Sequence, residues 1–594
     1  MQFRSFRLRF RRRYRRSQKQ AQNFGQQAEV SLEKLFFKRF ARLAAVRRFV
    51  IGWLLLVVLL IVAVLLQNIH LGNYYQTVQP VAGGIYNEGV LGSFSTANPL
   101  YATTDVDNTV SRLLFSGLFS YDQHNQLTGG LAKNYQVDEK GTTYTVHLKP
   151  NLRWHDGQPV TSADVVFTYQ TIQNPDAQSP LMSSWQGITV SAPDPQTVVF
   201  KLPSVLASFP YNLVNGIVPA HLLAKVPPAD LRSADFNTVH PVGSGPFSWQ
   251  ALQVSGTDHS NAQQSIVLRP FADYHGGKPK LQEFIVHAYA SQAQLVRAFG
   301  AGQLNGLEGL SATPASVTKL KSLVTHNLLL SAGTFVFFKT TSEPLTDVAV
   351  RQALVKAADP TDIIKHLSFP TLPVREPLLR RQLAYDPAYF QASHDSKAAA
   401  AQLEAAGWKV GKNGMRFKDN KPLTFRMIAT DTPEYRTVTA ELQKQWQQVG
   451  VAVQVHLLTG QDFQIALTYH DYDAVLYGIS LGVDPDVFVY WDSSQADIRS
   501  ANRLNLSEYK NTTADAALEA GRTRLDTSLR AIKYKPFLQA WQQDAPALGL
   551  YQPRVLYLTN GVIAGLGDAT LNTSADRLNN VQNWQIRAAK ITTN

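Results

Sequence analysis

The sequence predicts an α/β protein of two or three lobes preceded by a single membrane-spanning helix. Three observations predict it. The chain has 594 residues, too many for one hydrophobic core. Beyond residue 83, short apolar-alternating runs interleave with helix-spaced apolar runs, the pattern of packed α/β units. Near the start, residues 49–66 (FVIGWLLLVVLLIVAVLL) hold no charged or strongly polar side chain.

Charge is distributed unevenly. Residues 1–48 carry 15 Lys/Arg and 2 Asp/Glu, so they hold the whole formal excess of +13, and residues 49–594 balance at 42 against 42. The basic pI of about 9.5 therefore belongs to the tail, and the neutral remainder argues against a nucleic-acid partner for the main domain. There is no cysteine, which excludes disulfides, thiolate metal sites, a thiol nucleophile and a lipidated cysteine anchor.

In the tail (1–48), arginines interleave with Phe and Tyr over residues 3–16. Leu32, Phe36, Phe40 and Leu43 then form a stripe flanked by Lys34, Lys38, Arg39 and Arg42. This suits a basic amphipathic helix on an anionic cytoplasmic leaflet; charges that only set topology, or an Arg run that binds nucleic acid, are the alternatives. The 18 residues of the apolar run span roughly 27 Å as a helix, against a hydrocarbon core of about 30 Å. No small-residue cleavage pattern follows promptly, so residues 49–71 are expected to be an uncleaved signal anchor. Arg47 and Arg48 place the N-terminus in the cytoplasm and the main domain outside. Residues 72–82 are a tether.

Residues 142–149 alternate, with Tyr144, Val146 and Leu148 on one side of a strand. A turn bearing Trp154, His155 and Asp156 follows. Thr161 with Asp164 then opens a helix that Asn174 and Pro175 stop. A His beside an Asp without a third partner is a weak catalytic signal, and the turn is expected to close a strand onto a helix. Residues 188–202 read as a hairpin about Asp194 and Pro195. The helix 436–449, its stop at Gly450 and the strand 451–457 make an α/β unit.

Several of these runs carry a resemblance: LFSGL (114–118), LAKNY (131–135) and WHDGQPVT (154–161) with Asp164, Val165 and Val166. Further on come PVGSGPF (241–247), RPFADYHGG (269–277), DVAVRQALVKAAD (347–359) and AAAAQLEAAGW (398–408). Together they resemble the family 5 extracellular solute-binding proteins, the dipeptide and oligopeptide receptors of ABC importers, over about residues 83–590. One departure is Gly302, Gln303, Leu304 and Asn305, where the family usually has Gly-Glu-Ile-Asp.

The resemblance implies a two-lobed fold of the periplasmic-binding-protein type (type II, the large peptide-binder class with an extra subdomain). Lobe I would cover 83–288 with the extra subdomain at about 118–220, lobe II 289–545, and 546–594 would return to lobe I. The crossing between lobes is expected after Leu281. It implies binding rather than catalysis and no cofactor; the 14 His are scattered with no His-x-x-x-His on one helix, so no protein-built metal site is expected. The partners would be a peptide or peptide-like ligand and the permease and ATPase subunits of an ABC importer.

Carried over by position, the ligand wall would include Ser93, Phe94 and Ser95, and Tyr477, Gly478, Ile479 and Ser480. Phe94 and Tyr477 are equally compatible with core packing. Peptide receptors of this group commonly present an acid where this chain has Leu481. Either Asp484 or Asp486 takes over the pairing with a ligand ammonium, or the ligand has no free amino terminus there. A sensing or scaffold protein that keeps the receptor fold without transport is the alternative. A peptide hydrolase has no catalytic constellation behind it. Asn505 and Asn511 head Asn-x-Ser/Thr patterns and are expected in surface loops.

Overall fold

The computed structural model describes Val30 and residues 47–74, 76–122, 124–256, 263–497, 499–500, 503–568 and 570–592. The basic tail expected at 1–48 lies outside the described residues, apart from Val30, Arg47 and Arg48. Two compact units are present, one of Met1–Gln79 with Ala588–Asn594, the other Pro80–Arg587. In the first, Arg47–Tyr74 is a 28-residue helix whose segment Phe49–Asn68 is apolar and long enough to cross a membrane.

The larger unit is built on two mixed sheets. The first has seven strands in the order Leu323–Leu329, Arg554–Asn560, Gly306–Leu310, Ile85–Leu91, Glu283–Tyr289, Gln263–Pro270 and Phe247–Ser255. The second has five, in the order Ala452–Leu458, Thr424–Thr430, Ala474–Ser480, Ala332–Phe338 and Ala547–Tyr551. A separate four-stranded antiparallel sheet, with Thr143–Leu148 and Thr197–Lys201 at its centre, falls within residues 132–201.

Sheet membership places the exchange of chain between the two large sheets later than expected. After Glu283–Tyr289 and the helix Gln292–Gly300, the chain returns to the same sheet: Gly306–Leu310 lies parallel to Ile85–Leu91. The strand–helix–strand pattern after Leu281 is thus a crossover within one sheet. The passages are Leu330 to Ser331 and Gln552 to Pro553, not 288/289 and 545/546. At these points Leu323–Leu329 and Arg554–Asn560, paired antiparallel in the first sheet, continue into Ala332–Phe338 and Ala547–Tyr551, paired antiparallel in the second.

Local sequence explains the elements. Tyr144, Val146 and Leu148 are buried on one face of their strand, as the alternation requires. Ser162–Gln173 opens with a capping box in which Asp164 Oδ2 accepts from Thr161 N (2.8 Å), while its Oδ1 accepts from Ala220 N (2.9 Å). Asn305, the departure from the family pattern, stitches strands together. Its Oδ1 accepts from Asn87 N (2.8 Å), its N–H donates to Asn87 O (2.8 Å), and its carbonyl accepts from Asn560 N (2.7 Å). An amide side chain serves that junction without charge.

Asn505 corrects an expectation: it is fully buried, donating to the carbonyls of Asp492 (3.0 Å) and Tyr509 (2.9 Å). Asn511 caps the helix Thr512–Arg522.

Candidate functional site

The turn bearing Trp154, His155 and Asp156 is a fastening. Gly243 N donates to His155 Nδ1 (3.1 Å), so Nε2 carries the hydrogen and donates to Gly245 O (3.1 Å). Burial holds His155 down to about 4, which keeps it neutral. Asp156 faces His221 at 2.7 Å. A side chain added at Gly243 would stand 1.8 Å from Leu114 O, so the glycine loop can be gripped only without one.

The first expected wall segment is committed internally. Gln264 clamps Phe94 at both ends of its peptide: Phe94 N donates to Oε1 (2.7 Å), and Nε2 donates to Phe94 O (3.1 Å). The Phe94 ring is buried and lies 5.9 Å from that of Trp249. Ser95 gives its N–H and its hydroxyl to the Asp107 carboxylate, at 2.8 and 2.7 Å. Ser93 is exposed. The N–H of Phe94 is therefore already committed, and its carbonyl already accepts one hydrogen bond, before any strand-like interaction.

The second segment borders open space. Tyr477, Gly478, Ile479 and Ser480 form the end of a strand whose last residue pairs with Ala332, just past the passage between sheets. They line a cavity of about 530 Å³ closed by the helix Gly460–Tyr469 and by residues 503–506, with Tyr469 and Tyr490 at its walls. Tyr490 Oη donates to Ser480 O (2.7 Å) and fixes one corner. No aspartate or glutamate lines this cavity among the described residues; its charged lining side chain is Arg503.

Leu481 and the two acids turn elsewhere. Leu481 is buried in an apolar cluster with Phe335, Phe337 and Ile479, its backbone held by Ser331 and Gln382. It does not face the cavity that Tyr477 and Ser480 line. Asp484 makes a two-point ion pair with Arg530, 2.7 Å at each contact. Asp486 accepts from Ser208 Oγ (2.9 Å) and lies 3.3 Å from Arg522. Both acids that were candidates for a ligand ammonium are thus already paired with arginine.

Sequence reasoning missed this pairing because Arg522 and Arg530 lie on helices some 40 residues away in the chain. It also missed Arg503, whose only local signal was a lone arginine before an Asn-Leu-Ser loop.

Residues 126–500 match the family model of the bacterial extracellular solute-binding proteins, family 5, middle. The chain belongs to this family. Among curated relatives, the oligopeptide-binding protein AppA of Bacillus subtilis is 27% identical over 489 residues, covering 80% of this chain and 87% of AppA. The structure of AppA from Bacillus subtilis, in complex with a nonapeptide, superposes with a TM-score of 0.66 at 25% identity, over 86% of this chain and all of AppA. NikZ from Campylobacter jejuni, in complex with Ni(L-His), gives a TM-score of 0.70 at 24% identity, over 84% of this chain and 99% of NikZ. Members of the family are solute-binding receptors rather than enzymes, and the α/β fold of mixed sheets is theirs.

Proposed function

We propose that this family 5 receptor is anchored by residues 49–71 with its main domain extracytoplasmic. There it captures a peptide or peptide-like ligand between its two lobes and delivers it to the permease and ATPase subunits of an ABC importer. The observation that carries the reading is the cavity bordered by Tyr477–Ser480. Its lining comes from residues 464–506 on the second sheet's side, and its strand end Ser480 pairs with Ala332 beside a passage between sheets, so closure of the first lobe over it is part of the proposal. The peptide class rests on relatives such as AppA. Of the positions expected from the resemblance, Tyr477, Gly478, Ile479 and Ser480 are retained as ligand contacts. Phe94, Ser95, Asp484 and Asp486 are assigned to scaffolding instead, and the exposed Ser93 is retained as a candidate contact.

Among the described residues no acid lines the cavity, so the proposed recognition does not depend on the ligand's α-amine. Isothermal titration of the full-length protein in lipid nanodiscs with free and N-acetylated tri- to hexapeptide pools tests this. Saturable heats that acetylation leaves within about twofold are expected. Binding abolished by acetylation would overturn the amine-independent reading, and no binding to either pool would favour a sensing or scaffold role. The anchor predicts that protease added outside intact cells removes the main domain and spares an N-terminal epitope tag.

A further inference from the structure

The cavity bordered by Tyr477–Ser480 contains one feature that its walls alone do not require. Arg503 enters it with a backbone φ of 43°, a left-handed conformation that a residue with a side chain adopts only when its surroundings enforce it. Its Nη2 donates to Glu508 Oε1 (3.0 Å) and its Nη1 to Thr468 O (3.3 Å), while its buried Nε–H has no acceptor among the described residues.

Glu508 is shared. His470 Nδ1 contacts the same Oε1 at 3.1 Å, Thr341 donates to Oε2, and Lys339 lies 3.9 Å away. The His470 hydrogen bond outweighs burial and holds Glu508 down at about 2, so one carboxylate stays ionised beside two cations, Arg503 and Lys339. Asp471 also faces Lys339, so the cavity's cationic character rests on Arg503 itself, the charged side chain on its lining, whose buried Nε–H is unpartnered among the described residues; the hydroxyls of Tyr469 and Tyr490 add polarity to the same walls.

We infer that Arg503 makes this cavity select an acidic group of the ligand, such as a Glu or Asp side chain or a terminal carboxylate. Glu508 and Thr468 act as the positioning groups that aim the guanidinium. The inference rests on the cavity being the ligand site of the proposed receptor. Recognition would then read a negative group rather than an α-ammonium, which agrees with the lack of any acid on the lining among the described residues.

The test uses the full-length protein in nanodiscs at low salt and two N-acetylated, C-amidated tripeptide pools that differ only in Glu or Gln at one position. With both termini blocked and the remaining positions restricted to uncharged residues, the affinity ratio reads the varied side chain alone. The Glu pool is expected to bind about tenfold tighter, with the preference falling as salt rises. Arg503→Gln is expected to bring the ratio to about one, and Arg503→Lys to keep part of it.

A second comparison, with unblocked against amidated carboxyl termini, separates a side-chain acid from a terminal one, and tighter binding of either acid supports the inference. Equal binding of acid and amide in both comparisons, with saturable heats, would overturn the role of Arg503 while leaving the peptide receptor standing. Absence of binding to all pools would overturn both. Should Arg503→Gln fail to fold, the wild-type ratio and the Arg503→Lys variant still decide.

Discussion

At the scale of single residues, the buried acids divide into those that are paired and those that are not. Asp484 and Arg530 are nearly enclosed, with side chains 9% and 6% exposed, so removing one partner strands the other's charge. Asp484→Asn is expected to lower unfolding stability by about 3–5 kcal/mol in denaturant titrations. It should not alter the affinity ratio between free and acetylated peptides, as it would if Asp484 met the ligand's amine.

Glu308 behaves in the opposite sense. It shares Arg577 with Glu88, which holds the closer contact at 2.6 Å against 3.6 Å, and burial pushes Glu308 up to about 7. Its folded form therefore binds a proton more tightly than its unfolded form, whose ordinary value is 4.5. The resulting stability is complete below about pH 4.5 and is lost as pH rises through 7, amounting to about 3 kcal/mol at most. Glu308→Gln is expected to raise the melting temperature relative to wild type at pH 8 and to leave the difference small near pH 5. A difference that does not change with pH would contradict this.

At the scale of elements, what a short stretch can encode was legible. The strand carrying Tyr144, Val146 and Leu148, the helix opened by Thr161 and Asp164, and the strand end Tyr477–Ser480 all follow from periodicity, capping or motif position. The capping box can be tested directly. Asp164→Ala removes acceptors for Thr161 N and Ala220 N and should cost about 1–2 kcal/mol in denaturant midpoint measurements, whereas Asp164→Asn should cost less.

Partners distant in sequence were not legible. Gln264 meets Phe94 across 170 residues, and Arg530 meets Asp484 across 46. Neither pair leaves a periodic or compositional trace. The strand–helix–strand run after Leu281 misled for a related reason: periodicity identifies strands but not the sheet each one joins. Only the parallel pairing of Gly306–Leu310 with Ile85–Leu91 settles that.

At the scale of the whole receptor, the two large sheets are joined by two adjacent passages, and bending there is the motion that a two-lobed binder needs. Contacts of residues 207 and 208 bear on it. Ser208, which precedes every strand of the first sheet except Ile85–Leu91, donates to Asp486, and Ala207 N donates to Arg522 O at 2.9 Å. Asp486→Ala removes the side-chain half of this latch. The variant is expected to show a larger radius of gyration by X-ray scattering without ligand and a slower approach to the ligand-bound value; an unchanged radius in both states would argue against a latch.

In the proposed receptor, the cavity bordered by Tyr477–Ser480 holds the ligand. The most direct measurement is titration of the wild type and Ser480→Trp, both full-length in nanodiscs, with the same acetylated peptide pool. Ser480 is exposed at the cavity wall, so a bulky ring there takes up ligand space without invading a packed core. Saturable binding by wild type and at least a tenfold loss in Ser480→Trp, or about 1.4 kcal/mol, with an unchanged melting temperature, are expected. Equal affinity of the two proteins would place the ligand elsewhere and contradict that expectation.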